Sequence, residues 1–174
     1  MIRVTVTGSE CTGKTTLARA LAGHYATAVV PEAARRWVEH AARPPAWRDV
    51  DAIAREHTGL ADEARERARR LLVLDTDLLS TVVYSRHYYG RCPDWVTAAA
   101  RERAADLYLL ADTDVPWVAD GPFRDRGDRR EEMQALFRAE LEARRLPFVM
   151  VTGLHEARMR TAIDAIDCLL AVTS

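Results

Sequence analysis

VTVTGSECTGKTTLARAL, residues 4–21, decides the fold. Together with Ile2 and Arg3 its opening residues form an alternating, β-branched run through Thr7, which predicts a strand. Its closing residues place Leu17, Ala18, Leu21 and Ala22 at helical spacing, which predicts a helix over about 15–25. Between the two, Gly8, Gly13, Lys14 and Thr15 satisfy G-x-x-x-x-G-K-[ST]. That pattern has meaning only between a strand and a helix, and here it has both.

Such a loop turns its backbone N–H groups and the helix N-terminus toward one point, making a cradle for phosphate. Of the 25 Lys and Arg residues in the chain, Lys14 is the sole lysine. A chain that writes arginine everywhere else keeps a compact ammonium here, where a planar guanidinium would not fit between the β- and γ-phosphates in the same way. The expected nucleotide-binding residues are Gly8, Ser9, Glu10, Cys11, Thr12, Gly13, Lys14, Thr15 and Thr16, with ATP or GTP as the ligand. Thr15 is the expected hydroxyl ligand of Mg2+.

The rest of the chain alternates strands with helices. Short TAVV (27–30) ends at Pro31-Glu32, and a helix runs through AARRWVEHAA until RPPAW breaks it. A long Arg- and Glu-rich helix is expected from about 49 to 70. LLVLDTD (71–77) is a continuous apolar run ending in carboxylates, the pattern of a buried parallel strand. Two helices precede DLYLLAD (106–112), the fourth strand. A loop-like stretch with Pro and Gly, a helix over about 129–145, a fifth strand in PFVMVTG and a last helix from about 155 complete the chain. This order predicts one α/β domain over 1–174: a three-layer P-loop NTPase fold with a five-stranded parallel sheet and helices on both faces.

Bulk composition is that of an ordinary globular chain of 174 residues, 48% apolar and 29% charged, with a formal net charge of −1. That charge suggests no nucleic-acid partner. Cys11, Cys92 and Cys168 are far apart and lack metal-ligand spacing, as in a reduced cytosolic protein. No apolar run approaches membrane-spanning length, and no signal peptide precedes the first strand, so a cytoplasmic protein without membrane contact is expected.

Candidate catalytic residues gather at strand ends, where open α/β sheets bind ligands. Asp75 best fits the position contacting Mg2+, and Asp77 an acceptor hydroxyl; either also suits the cap of the following helix, and the roles can coexist. Glu32, just past the second strand, and Arg35 after it are expected on the acceptor side. The segment at about 112–128 is expected to be a lid, with Arg124 closing on the transferring phosphoryl group and Arg126 on the nucleotide. Arg129 and Arg130 are assigned to the start of the next helix. Among the aromatic residues, Tyr84, Tyr88 and Trp117 are the candidates for stacking on a flat acceptor.

These pieces in this order resemble the ribosylnicotinamide kinase domain of the NadR type. The resemblance rests on GSECTGKTTLARAL, on Pro31-Glu32-Ala33-Ala34-Arg35, on Asp75-Thr76-Asp77 and on Trp117-Val118-Ala119-Asp120-Gly121, and it covers nearly the whole chain. It implies ATP as donor, nicotinamide riboside as the small-molecule acceptor, and phosphorylation of the 5′-hydroxyl to nicotinamide mononucleotide in NAD salvage. Asp75 would then serve Mg2+ or act as base, with Asp77 and Glu32 on the ribose and an aromatic face on the cationic ring. Proteins of that type carry a nucleotidyltransferase domain ahead of the kinase; this sequence opens at the first strand, so a stand-alone kinase is expected. Two other readings remain open: another P-loop kinase, acting on a deoxynucleoside or nucleoside monophosphate, and an ATP-binding regulatory module without transfer.

Overall fold

The computed structural model describes residues 1–116 and 129–173. Five strands, β1 (Ile2–Thr7), β2 (Val29–Val30), β3 (Leu71–Asp75), β4 (Leu107–Ala111) and β5 (Phe148–Val151), form one all-parallel sheet in the order β2-β3-β1-β4-β5. The helices are α1 (Lys14–His24), α2 (Ala33–Ala41), α3 (Val50–Arg67), α4 (Leu78–Tyr89), α5 (Asp94–Glu102), α6 (Arg130–Ala143) and α7 (His155–Val172). Two elements are shorter than the sequence suggests. The strand at TAVV keeps only Val29 and Val30, because β2 is an edge strand paired on one side through two residues. The long helix begins after a single 3₁₀ turn at Trp47–Asp49, where Asp49 accepts from the Ala46 N–H at 2.8 Å.

Strand periodicity sorts the core into layers. Along β4, Leu107 and Leu109 face α1 and α7, whereas Tyr108 and Leu110 face α4 and α6. Along β3, Leu71 and Val73 join the first layer, and Leu72 and Leu74 pack under α3. In β1 the same alternation puts Val4 and Val6 into the α1–α7 layer. Thr7, on the opposite side, meets Ser80 of α4, their hydroxyls 3.2 Å apart. Each fully buried Leu or Phe here contributes roughly 1.5–3 kcal/mol by leaving water.

Because β1 is flanked by β3 and β4 rather than by its neighbour in sequence, three carboxyl ends lie side by side. Val6 is in register with Asp75 and Thr7 with Leu110. The loop after β1 must therefore pass close over the end of β4. Gly8 makes that possible: its φ is +129°, and a Cβ there would stand 2.7 Å from the Ala111 carbonyl oxygen. Gly8→Ala is expected to cost about 3 kcal/mol, on the order of 10 °C in Tm for a chain of this size. Calorimetry checks it, and a Tm within about 2 °C of wild type would show that the loop relaxes around the methyl group.

Candidate active site

The phosphate loop, residues 8–13, passes through positive φ at three of its positions. Cys11 has φ +54° and Gly13 φ +77°, beside Gly8. Successive turns of this kind curl N–H groups toward a common centre. Lys14 opens α1 and is buried, its Nζ donating to the Ser9 carbonyl at 2.6 Å, and the Thr12 hydroxyl donates to the same oxygen at 2.8 Å.

Thr15, next on α1, brings its hydroxyl near enough to Asp75 to favour the charged carboxylate, so the two residues selected for Mg2+ are neighbours. Asp75 is 3% exposed and its Oδ1 has no hydrogen-bond partner among the described residues. Burial pushes this carboxyl upward; Thr15 opposes the shift, the charge of Glu32 adds to it, and Lys14 and Arg35 counter it. A buried acceptor oxygen left open beside a hydroxyl and an ammonium suits a hydrated divalent cation and a polyphosphate. The donor set fits.

Asp77 does something different. Thr76, at φ +67°, turns the chain between the two carboxylates. Asp77 then becomes the N-cap of α4, accepting from Leu79 N–H at 3.0 Å and Ser80 N–H at 3.4 Å. Its Oδ2 accepts from the Tyr108 hydroxyl at 2.7 Å. Burial pushes this carboxyl upward as well, against the hydrogen bonds from Tyr108 and the two amides.

Beside the loop lies a cavity of about 730 Å³ between α2, α3 and α4. Glu32, Arg35, Asp77, Tyr84 and Tyr88 all line it. Glu32 stands at the N-cap position of α2 with Arg35 Nε 3.5 Å from its Oε2. The rings of Tyr84 and Tyr88 stack with centroids 6.1 Å apart and planes 5° from parallel, and Tyr84 meets Phe137 edge-on at 5.4 Å. Tyr84 is thereby fixed to the core, while Tyr88 stands exposed at the mouth.

Two lining residues were not anticipated there. Glu10, selected for the nucleotide, belongs to the phosphate loop yet also lines this cavity. His57, on α3, is buried in its wall, and burial lowers its pKa to about 4, so it is neutral at pH 7. Neither was legible, because both depend on which helix folds over which strand end. Trp117, Arg124 and Arg126, with most of the expected lid, lie outside the described residues. Among the described residues no group of three or more His, Cys, Asp or Glu side chains is disposed to hold a metal. No described helix is long and apolar enough to cross a membrane.

The two carboxylates call for different tests, one of the charge and one of a partner. Asp75 has a folded pKa above its unfolded value of about 3.8, so the folded state binds the extra proton between the two values and stability falls as pH rises through that window. Above it the penalty is complete. Asp75→Asn is therefore expected to raise the Tm of the nucleotide-free protein at pH 7 by about 2–4 °C. The gap to wild type should close as pH falls and the wild-type carboxyl takes up its proton; a gap constant with pH would refute this. Tyr108→Phe, which strips the buried Asp77 of a donor, is expected to cost about 1–3 kcal/mol by thermal or denaturant unfolding.

Residues 3–158 match a sequence family described as an AAA domain. The trifunctional NAD biosynthesis/regulator protein NadR of Escherichia coli is 34% identical over 154 residues, which cover 85% of this chain and 37% of that protein. This chain thus spans little more than a third of the length of that relative. A NadR protein solved in complex with NR superposes with a TM-score of 0.74 at 26% identity, covering 95% of this chain and 50% of the other. Thymidylate kinase from Ehrlichia chaffeensis shares the fold at a TM-score of 0.67 and 13% identity, with 97% and 98% covered. The chain belongs to the AAA-domain family, and within it to the NadR type, built on the P-loop fold of nucleoside and nucleotide kinases.

Proposed function

We propose that the protein is an ATP-dependent kinase that phosphorylates the 5′-hydroxyl of nicotinamide riboside, yielding nicotinamide mononucleotide and ADP. The observation that carries this reading is a single cleft in which the phosphate loop, with Lys14 and the Thr15–Asp75 pair, adjoins a cavity lined by carboxylates and stacked tyrosines. A nucleoside with a cationic pyridinium ring matches those walls: the tyrosine faces attract the cation, and the carboxylates accept from ribose hydroxyls. The solved NadR protein in complex with NR supports the same acceptor.

The loop N–H groups and Lys14 hold the ATP phosphates, and Thr15 with Asp75 would hold Mg2+. Bound there, Mg2+ would supply charge neutralisation across the β- and γ-phosphates. We assign Glu32 to the ribose, since Asp77 already accepts from two amides of α4 on Oδ1 and from the Tyr108 hydroxyl on Oδ2. In the transfer, the 5′-oxygen bonds to the γ-phosphorus as the bond to the β–γ bridging oxygen breaks. The hydroxyl proton passes to a carboxylate at the cleft, and ADP departs with the bridging oxygen. Arg124 and Arg126 retain the lid roles expected from the sequence.

A nucleoside monophosphate would want two arginines turned toward its phosphate. Arg36 instead pairs with Glu56 at 3.0 Å on the exposed side of α2, which favours an unphosphorylated acceptor. An ADP-release assay with Mg-ATP should show turnover with nicotinamide riboside and not with thymidine, deoxyadenosine, cytidine or thymidine monophosphate. Asp75→Asn should lower kcat by about 100-fold or more. Tyr88→Ala should raise the nucleoside KM by about ten-fold, the loss of roughly 1–2 kcal/mol of ring–cation attraction. Activity confined to another acceptor would discard this substrate; ATP hydrolysis indifferent to every nucleoside would favour a regulatory module.

A further inference from the structure

Three side chains that the motif does not include reach the phosphate loop from its outer side. Gln134 of α6 accepts the Ser9 N–H on Oε1 at 3.0 Å and donates Nε2 to the Ala111 carbonyl at 3.0 Å. One turn earlier on the same helix, Arg130 Nη2 donates to the carbonyls of Cys11 at 3.4 Å, Thr113 at 3.2 Å and Val115 at 3.1 Å. Arg158 of α7, 4% exposed, donates Nη1 to the Thr12 carbonyl and Nε to the Gly153 carbonyl at 2.7 Å. Its Nη2 donates to the Asp112 carbonyl at 2.8 Å and to the Asp114 carboxylate. Each of the three therefore spans from the loop to residues 111–115 at the carboxyl end of β4.

In a trans peptide the carbonyl of one residue and the N–H of the next point in opposite directions, and the chain has no cis bond among its described residues. Anchoring the Cys11 and Thr12 carbonyls on the protein side consequently turns the N–H groups of Thr12 and Gly13 away from it, toward the open face of the loop. Gln134 meanwhile draws the Ser9 N–H back into the protein. Guanidinium donors are suited to this because one rigid fork serves several carbonyls at once, and they add positive charge behind an anion site.

We propose that Arg130, Gln134 and Arg158 are positioning residues that set the peptide planes of the phosphate loop before the nucleotide arrives and couple that loop to residues 111–115. The proposal rests on the reading that the loop binds a nucleoside triphosphate and not on which acceptor is used. It assigns the arginines no contact with substrate.

The test is calorimetric binding of Mg-AMP-PNP, without acceptor, to Arg158→Lys, Arg158→Met and Arg130→Gln, alongside nicotinamide riboside binding and the melting of each ligand-free variant. The Kd for AMP-PNP should rise about ten-fold in Arg158→Met and Arg130→Gln, and less in Arg158→Lys, which retains one charged donor. The nicotinamide riboside Kd should stay within about two-fold of wild type. An unchanged AMP-PNP Kd in folded variants, or equal weakening of both ligands, overturns the proposal. If the Arg158 variants do not fold, Arg130→Gln, on the partly exposed first turn of α6, still decides. In the wild-type protein AMP-PNP should slow amide exchange at 9–13 and 112–115 together, and protection confined to 9–13 would also overturn it. Wild-type protein that fails to bind AMP-PNP would overturn the nucleotide reading itself, whereas binding without turnover of any nucleoside would sink only the kinase assignment.

Discussion

A backbone that is to grip an anion must turn several N–H groups toward one point, and the matching carbonyls are then left facing the protein. Much of the architecture around residues 8–13 answers that constraint. The parallel pairing of β1 with β3 and β4 brings three strand ends into one row, so that neighbours are available on both sides of the loop. Gly8 allows the chain to cross the Ala111 carbonyl at a distance no side chain tolerates. Two helices distant in sequence, α6 and α7, then supply the donors that the outward carbonyls require.

The three-residue stretch Asp75-Thr76-Asp77 shows how one backbone torsion separates two chemically identical groups. A β-branched residue at positive φ is strained, and strain of this kind persists only where the surroundings impose it. Here it leaves Asp75 at the end of β3, against Thr15 and near Lys14, while Asp77 swings under α4. One carboxylate keeps an oxygen open at a burial cost; the other is satisfied by two amides and a phenol. The first arrangement leaves an acceptor open toward the loop, and the second engages both oxygens within the fold.

Much of this was readable from the sequence because the signals are local. The period of two in β1, the glycine spacing of the loop, the apolar run of β3 and the helical spacing of α1 each lie within a few residues. Non-local facts were not readable. Arg130, Gln134 and Arg158 sit in Arg- and Glu-rich helices whose charges look alike in sequence; only the packing of α6 and α7 against the loop distinguishes them from solvated neighbours such as Arg138, which pairs with Glu142 on the surface. Tyr108 reads as one more strand residue, and its tie to Asp77 spans 31 positions. Glu10 reads as a nucleotide residue because its motif is, although its place in the fold puts it on the acceptor cavity as well.

The solitary lysine has a practical consequence. Throughout the 174 residues Lys14 is the only ε-amino group, and it is buried in the loop. Arginine supplies every other side-chain ammonium-like charge, and guanidinium does not react with activated esters, isocyanates or formaldehyde as an amine does. Amine-directed dyes and amine-coupling resins therefore find, among the side chains, one target amine, and it opens α1 behind the loop. For this chain, lysine chemistry is phosphate-loop chemistry.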